Sequence, residues 1–74
     1  MATRETRRHK AHRRGHELLR GLITELRQER QTANVSQRAI ATELGWQQAE
    51  LNRLERFDFP NVPLVRLVEI AGVL

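Results

Sequence analysis

The sequence predicts an all-α domain of four helices preceded by a basic N-terminal arm. Three observations predict it. Apolar residues recur at helical spacing in four separate stretches. Cap, turn and stop residues stand between those stretches. No segment alternates apolar and polar residues as a half-buried strand does. The chain has 74 residues, which suits one domain. A domain of this size buries about 60% of the surface its unfolded chain exposes.

Residues 1–14 form the arm. They carry Arg4, Arg7, Arg8, Lys10, Arg13 and Arg14 against Glu5, a local charge of +5, whereas the rest of the chain sums to −1. With almost no apolar residue, the arm is expected to be disordered, or helical only when bound. Its charge attracts polyanions through counterion release.

Residues 15–74 form the folded domain. The first helix is expected over about 16–31, with Leu18, Leu22, Ile23 and Leu26 as its apolar stripe and Leu19 beside it. Gly21 within it costs roughly 1 kcal/mol relative to alanine and suggests a close helix approach. Gln31 to Val35 is a polar link with Asn34 as its turn residue. The second helix spans about 36–44. Ser36 caps it, and Val35 and Ile40 are placed as a hydrophobic staple. Gly45 supplies the left-handed turn that follows. The third helix spans about 47–56. Trp46 and Leu51 are placed as its staple, and Glu50 holds the acid position of a capping box. Glutamine caps poorly, so Gln47 does not owe its place to helix stability. After the loop Phe57-Asp58-Phe59-Pro60, the fourth helix spans about 62–71. Its apolar residues nearly encircle it, interrupted by Arg66 and Glu69, so it needs cover on most sides.

Composition excludes several classes. The chain has no cysteine, hence neither disulfide staples nor zinc-finger ligand sets. No apolar run has the length of a signal peptide core or a membrane span. The expected setting is soluble and intracellular. No catalytic triad, glycine-rich phosphate loop or isolated carboxylate pair is present, so no enzymatic activity and no cofactor are expected. His9, His12 and His16 would share one face of a helix. Five cationic side chains from Arg7 to Arg14 disfavour a dication there, so no metal site is expected.

Two short helices joined at a glycine are the pattern of a helix-turn-helix. From Leu22 to Val73 the chain resembles the Cro/C1-type (XRE-like) helix-turn-helix domains of phage repressors and bacterial regulators. The resemblance lies in Leu26-Arg27, Ser36-Gln37, Ile40-Ala41, Leu44-Gly45, Leu51, Arg53-Leu54-Glu55, Pro60 and Leu67-Val68-Glu69. It covers about two-thirds of the chain. It implies a lambda-repressor-like bundle, here with the fifth helix absent and a first link about three residues longer than the family pattern. It also implies a structural ion pair between Arg27 and Glu55, for which the longer link makes Arg30 a rival partner.

Gln37 and Gln48 stand at the starts of the second and third helices. In the phage-repressor relatives the glutamine matching Gln37 bonds a phosphate and braces the one matching Gln48. The latter offers donor and acceptor together to an adenine edge. Gln47, Gln48, Ala49, Asn52 and Arg53 are the candidate base-contacting residues. For Arg53 the alternative is a surface ion pair with Glu50 or Glu55. Gln37, Arg38, Arg56 and the arm residues Arg7, Arg8, Lys10, Arg13 and Arg14 are candidate contacts to the DNA backbone. Trp46 packs as a staple or donates its indole N–H to a phosphate. Phe57, Phe59, Val62, Val73 and Leu74 are the candidate dimer or partner face. The function so implied is sequence-specific double-stranded DNA binding by a homodimer on a palindromic operator. Such a protein represses transcription in the cytoplasm, at the bacterial nucleoid or in a phage-infected cell. An antitoxin or a protein-binding adaptor, held at the fourth helix, is the second reading. An RNA-binding module led by the arm is the third, weakened by the absence of an aromatic stacking platform.

Overall fold

The computed structural model describes residues 6–58 and 63–74. They are all-helical, with four helices: α1 (Arg7–Thr32), α2 (Gln37–Leu44), α3 (Gln48–Glu55) and α4 (Leu64–Val73). No strand occurs among the described residues. α1 packs on α3 and α4, and α2 packs on α3 and α4. Between them lies one core of Ile23, Ile40, Leu51, Leu54, Leu67 and Ile70. Leu19, Leu26, Val35, Leu44, Trp46 and Phe57 close its margins.

α1 departs most from expectation. It begins at Arg7, two and a half turns before the predicted start, so residues 7–14 are helix and not a disordered arm. Thr6 supplies the start: its hydroxyl accepts the His9 N–H at 3.1 Å. Arginine, lysine and alanine are good helix formers, and the packed part of the same helix serves as their nucleus. An Arg13–Glu17 pair at 3.1 Å adds support one turn apart. The buried stripe is also rotated. Leu19, Ile23 and Leu26 face the core, whereas Leu18 and Leu22 are exposed at 61% and 45%. Gly21 has open space where a side chain would stand, so no close helix approach explains it.

α1, α2 and α3 end by one device. After each, a single residue turns left-handed: Asn34 (φ 58°), Gly45 (φ 71°) and Phe57 (φ 60°). The next amide then reaches back into the helix: Val35 to the Arg30 carbonyl (3.0 Å), Trp46 to Ala41 (2.8 Å), Asp58 to Arg53 (2.9 Å). These are Schellman closures, which satisfy carbonyls the helix leaves open. The first two are favourable residues for that seat, while Phe57 is not. α2 starts as expected, with Ser36 Oγ accepting the Ala39 N–H at 3.0 Å. α4 runs Leu64–Val73, about two residues later at both ends than expected, with Gly72 inside it.

Candidate nucleic-acid interface

α2 and α3 meet at Gly45, and this turn aims the start of α3 outward. Leu51 and Leu54 bury one side of α3. That fixes the opposite side in solvent: Gln48, Ala49 and Arg53 are exposed and Asn52 is half-buried. Together with Arg56 they line one shallow concavity. Five candidate positions therefore share a surface, as helical spacing requires once the apolar side is committed. Gln47 precedes them as N-cap. Its backbone N–H donates to Glu50 Oε1 at 3.4 Å, the return half of a capping box.

Behind this surface lies a polar network centred on Glu55, the one buried charged side chain among the described residues. Arg30 donates to it twice, Nε to Oε2 and Nη2 to Oε1, both at 2.7 Å. Arg30 Nη1 also donates to the Val35 carbonyl at 3.0 Å. Arg27 lies at 3.9 Å with its side chain half exposed. The bidentate partner is therefore Arg30, and Arg27 is an outlying charge. Both expected partners thus reach Glu55, Arg30 as the closer, bidentate one and Arg27 as the longer ion pair. The physical reason is reach: Arg30 sits one turn nearer the closure at Asn34, where burial and a backbone acceptor hold its fork flat against the carboxylate.

Burial alone would push the Glu55 carboxyl up. The bonds from Arg30 and Gln37 and the charges of Arg30 and Arg27 outweigh it and hold the group below the ordinary glutamate value. The same bond to Glu55 raises Arg30 above its ordinary value. No buried side-chain polar atom among the described residues lacks a partner.

Gln37 extends the network to the surface. Its Nε2 donates to Glu55 Oε1 at 3.0 Å, and its Oε1 accepts from Asn52 Nδ2 at 3.3 Å. Gln37 therefore braces Asn52 and not Gln48. The chain Arg30–Glu55–Gln37–Asn52 runs from the core to the exposed face of α3. The Gln48 side chain has no hydrogen-bond partner among the described residues.

The charges around the face are sorted by the same geometry. Glu50 is held by Arg66 Nη1 at 3.1 Å, and the Arg66 guanidinium lies 4.7 Å from the centre of the Trp46 ring. Trp46 packs on the core margin, the staple position. With Glu50 and Glu55 both engaged elsewhere, Arg53 has no ion-pair partner among the described residues. Arg38 is likewise exposed and unpaired among them, and Arg56 lies 3.9 Å from Asp58. Arg66 had no signal in the sequence, since its partners lie on α3 and in the link before it.

The remaining candidates are scattered. Arg7, Arg8, Lys10, Arg13 and Arg14 are exposed on the first turns of α1. The His12 and His16 rings lie 4.6 Å apart. Phe57 is half-buried against the core, with the Arg20 guanidinium 4.5 Å from its ring centre. Phe59 and Val62 fall outside the described residues. Val73 and Leu74 are exposed at 36% and 37%, less than Leu18, Leu64, Val65 and Val68, at 59–63%. No helix among the described residues is long and apolar enough to cross a membrane. Comparison with family models, with curated proteins and with solved structures finds no match.

Proposed function

We propose that this chain is a DNA-binding domain of the Cro/C1-type helix-turn-helix class, lambda-repressor-like in arrangement, that reads a specific double-stranded site with α3. One observation carries the reading. The outward side of α3 presents Gln48, Ala49, Asn52 and Arg53 on one surface, while the acidic groups of that helix are engaged by Arg66 and Arg30. An amide free of partners, a small residue and an unpaired guanidinium suit a groove edge, where bidentate contacts specify sequence. Asn52 enters that face already oriented by Gln37 and Glu55, so little side-chain entropy is lost on contact. Arg38, Arg56 and the basic turns of α1 supply phosphate contacts that position the domain. The protein is a transcriptional regulator, most simply a repressor that occludes a promoter, acting as a dimer on a palindromic operator. It uses no cofactor and performs no catalysis.

The test is selection from a randomised duplex library at two salt concentrations. Enrichment of a palindromic site is expected, with Gln48→Ala losing roughly 1–3 kcal/mol and some discrimination at the bases it faces. Salt-sensitive binding without an enriched site would mean that the basic turns of α1 bind alone, and the role given to α3 would fall.

A second reading has its own observation. Leu64, Val65 and Val68 are exposed on α4, an apolar surface of the kind that marks a protein contact. An antitoxin or adaptor would use it, and such a protein would hardly respond to Gln48→Ala.

A further inference from the structure

The first turns of α1 stand clear of the core. Every residue from Arg7 to Leu18 is exposed, and burial starts at Leu19. The 26-residue helix is about 39 Å long, and the molecule measures 50 × 22 × 18 Å. An overhanging helix of this length gains little from its own hydrogen bonds in water. Farther along the same helix, α1 and α4 enclose an apolar groove lined by Leu22, Leu26, Leu64 and Val68, with Glu25 and Glu29 along its edge. A basic overhang and an acid-edged apolar groove thus occur on one chain, and no contact among the described residues joins them.

We propose that the groove receives the overhang of a second copy, so that two α1 helices pair antiparallel about a twofold axis. The register is written in one stripe of α1. Arg8, Ala11, Gly15, Leu18, Leu22 and Glu25 recur at alternating spacings of three and four, the seam of a coiled coil. Run antiparallel, this stripe complements itself. Arg8 meets the partner's Glu25, Ala11 meets the partner's Leu22 and Gly15 meets the partner's Leu18. Small stands opposite large and basic opposite acidic, and each contact occurs twice, as an isologous interface requires. Glycine at position 15 has open space where a side chain would be, so no neighbour among the described residues calls for it. The register accounts for that space with an incoming leucine. Arg8 and Glu25 carry no ion pair among the described residues, so both are available to the second copy. Lys10 and Arg13 fall on the side of the helix away from the seam and keep their charge in solvent.

The pairing differs from the dimer face expected at Phe57, Phe59, Val62, Val73 and Leu74, and it stands whether or not α3 reads DNA. It is therefore measured without DNA, by sedimentation equilibrium of the full chain, with far-UV circular dichroism to check helicity. The expected result is a reversible dimer. Arg8→Glu alone and Glu25→Arg alone each raise its dissociation constant about tenfold, because each creates two like-charge contacts. The double variant R8E/E25R restores the parent value to within about threefold, because the pair is reversed and not removed. Both positions are exposed, so the fold is not at stake. A monomer at all concentrations overturns the proposal and gives the groove to another occupant. A dimer indifferent to both single changes, or a double variant no tighter than the singles, overturns it as well.

Discussion

Glu55 decides more than its own position. It is 6% exposed, and the side chain of Arg30 opposite it is 12% exposed. Removing one member of such a pair leaves the other charge without an equal partner. Arg30→Ala is expected to lose about 3 kcal/mol of stability in denaturant titration, whereas Arg27→Ala loses less than about 1 kcal/mol. The pH dependence has a definite sign. The carboxyl ionises at lower pH in the folded chain than in the unfolded one, so on acidification the unfolded chain takes up the proton first. The contribution of Glu55 is full above the ordinary glutamate value of about 4.3 and is lost as the pH falls through the lower folded value. Glu55→Gln should flatten that part of the stability profile; an unchanged slope would contradict the assignment. The sequence carried both arginines, one turn apart on α1, and no local pattern distinguishes them. The choice rests on how the Asn34 closure seats Arg30 against α3, which is a contact between distant segments. Phe57 shows the same limit. Its left-handed backbone costs about 1–2 kcal/mol for a residue with a side chain. Burial of its ring, of order 1.5–3 kcal/mol when complete, offsets that cost, and neither is visible from neighbouring residues.

At the scale of the element, legibility follows locality. The Ser36 cap and the turns at Asn34 and Gly45 are set by residues within one turn of each other, and all three stand where expected. The start of α1 does not, because a helix that projects from its own packed half has no apolar periodicity to announce it. The stripe on α1 slipped by one position for a related reason: Leu18, Leu19, Leu22 and Ile23 offer two adjacent apolar faces, and packing against α3 and α4 selects one. Two glycines separate backbone from packing effects. Gly45 has φ 71° and open space around its missing Cβ, so Gly45→Ala is expected to cost about 1–2 kcal/mol from backbone strain alone. Gly21 is helical with equally open space, so Gly21→Ala is expected to gain up to about 1 kcal/mol. Thermal unfolding of the two variants should move in opposite directions, and a loss in both would reveal a close approach at Gly21.

Across the whole molecule, the buried face of each helix draws on few residues, and the core is correspondingly thin. Four elements share six buried apolar side chains at its centre, while five large apolar residues on α1 and α4 remain more than two-fifths exposed. The candidate site was legible as a set, because α3 has only one side to offer once Leu51 and Leu54 are buried. Its wiring was not. Gln37 reaches Asn52 and not Gln48 because the side chain of Glu55 draws its amide toward the core. The practical expectation is a division of labour along α3. Asn52→Ala should disturb both stability and any DNA contact, since it leaves Gln37 with an open acceptor, whereas Gln48→Ala should change the unfolding free energy by less than about 0.5 kcal/mol. Equal stability losses in the two variants would refute the network.

The overhang of α1 also bears on how the chain orders itself in time. Starting a helix is the costly step, and lengthening one is nearly neutral for each added residue. The packed half, from Leu19 onward, acts as the seed, and the turns from Leu18 back to Arg7 are growth from it. Opening should then begin at Thr6 and travel inward like a zipper. Amide hydrogens in a single copy would exchange in a graded series, fastest near Lys10 and slowest past Ile23. Gly15, the weakest tooth, should mark a step in that series.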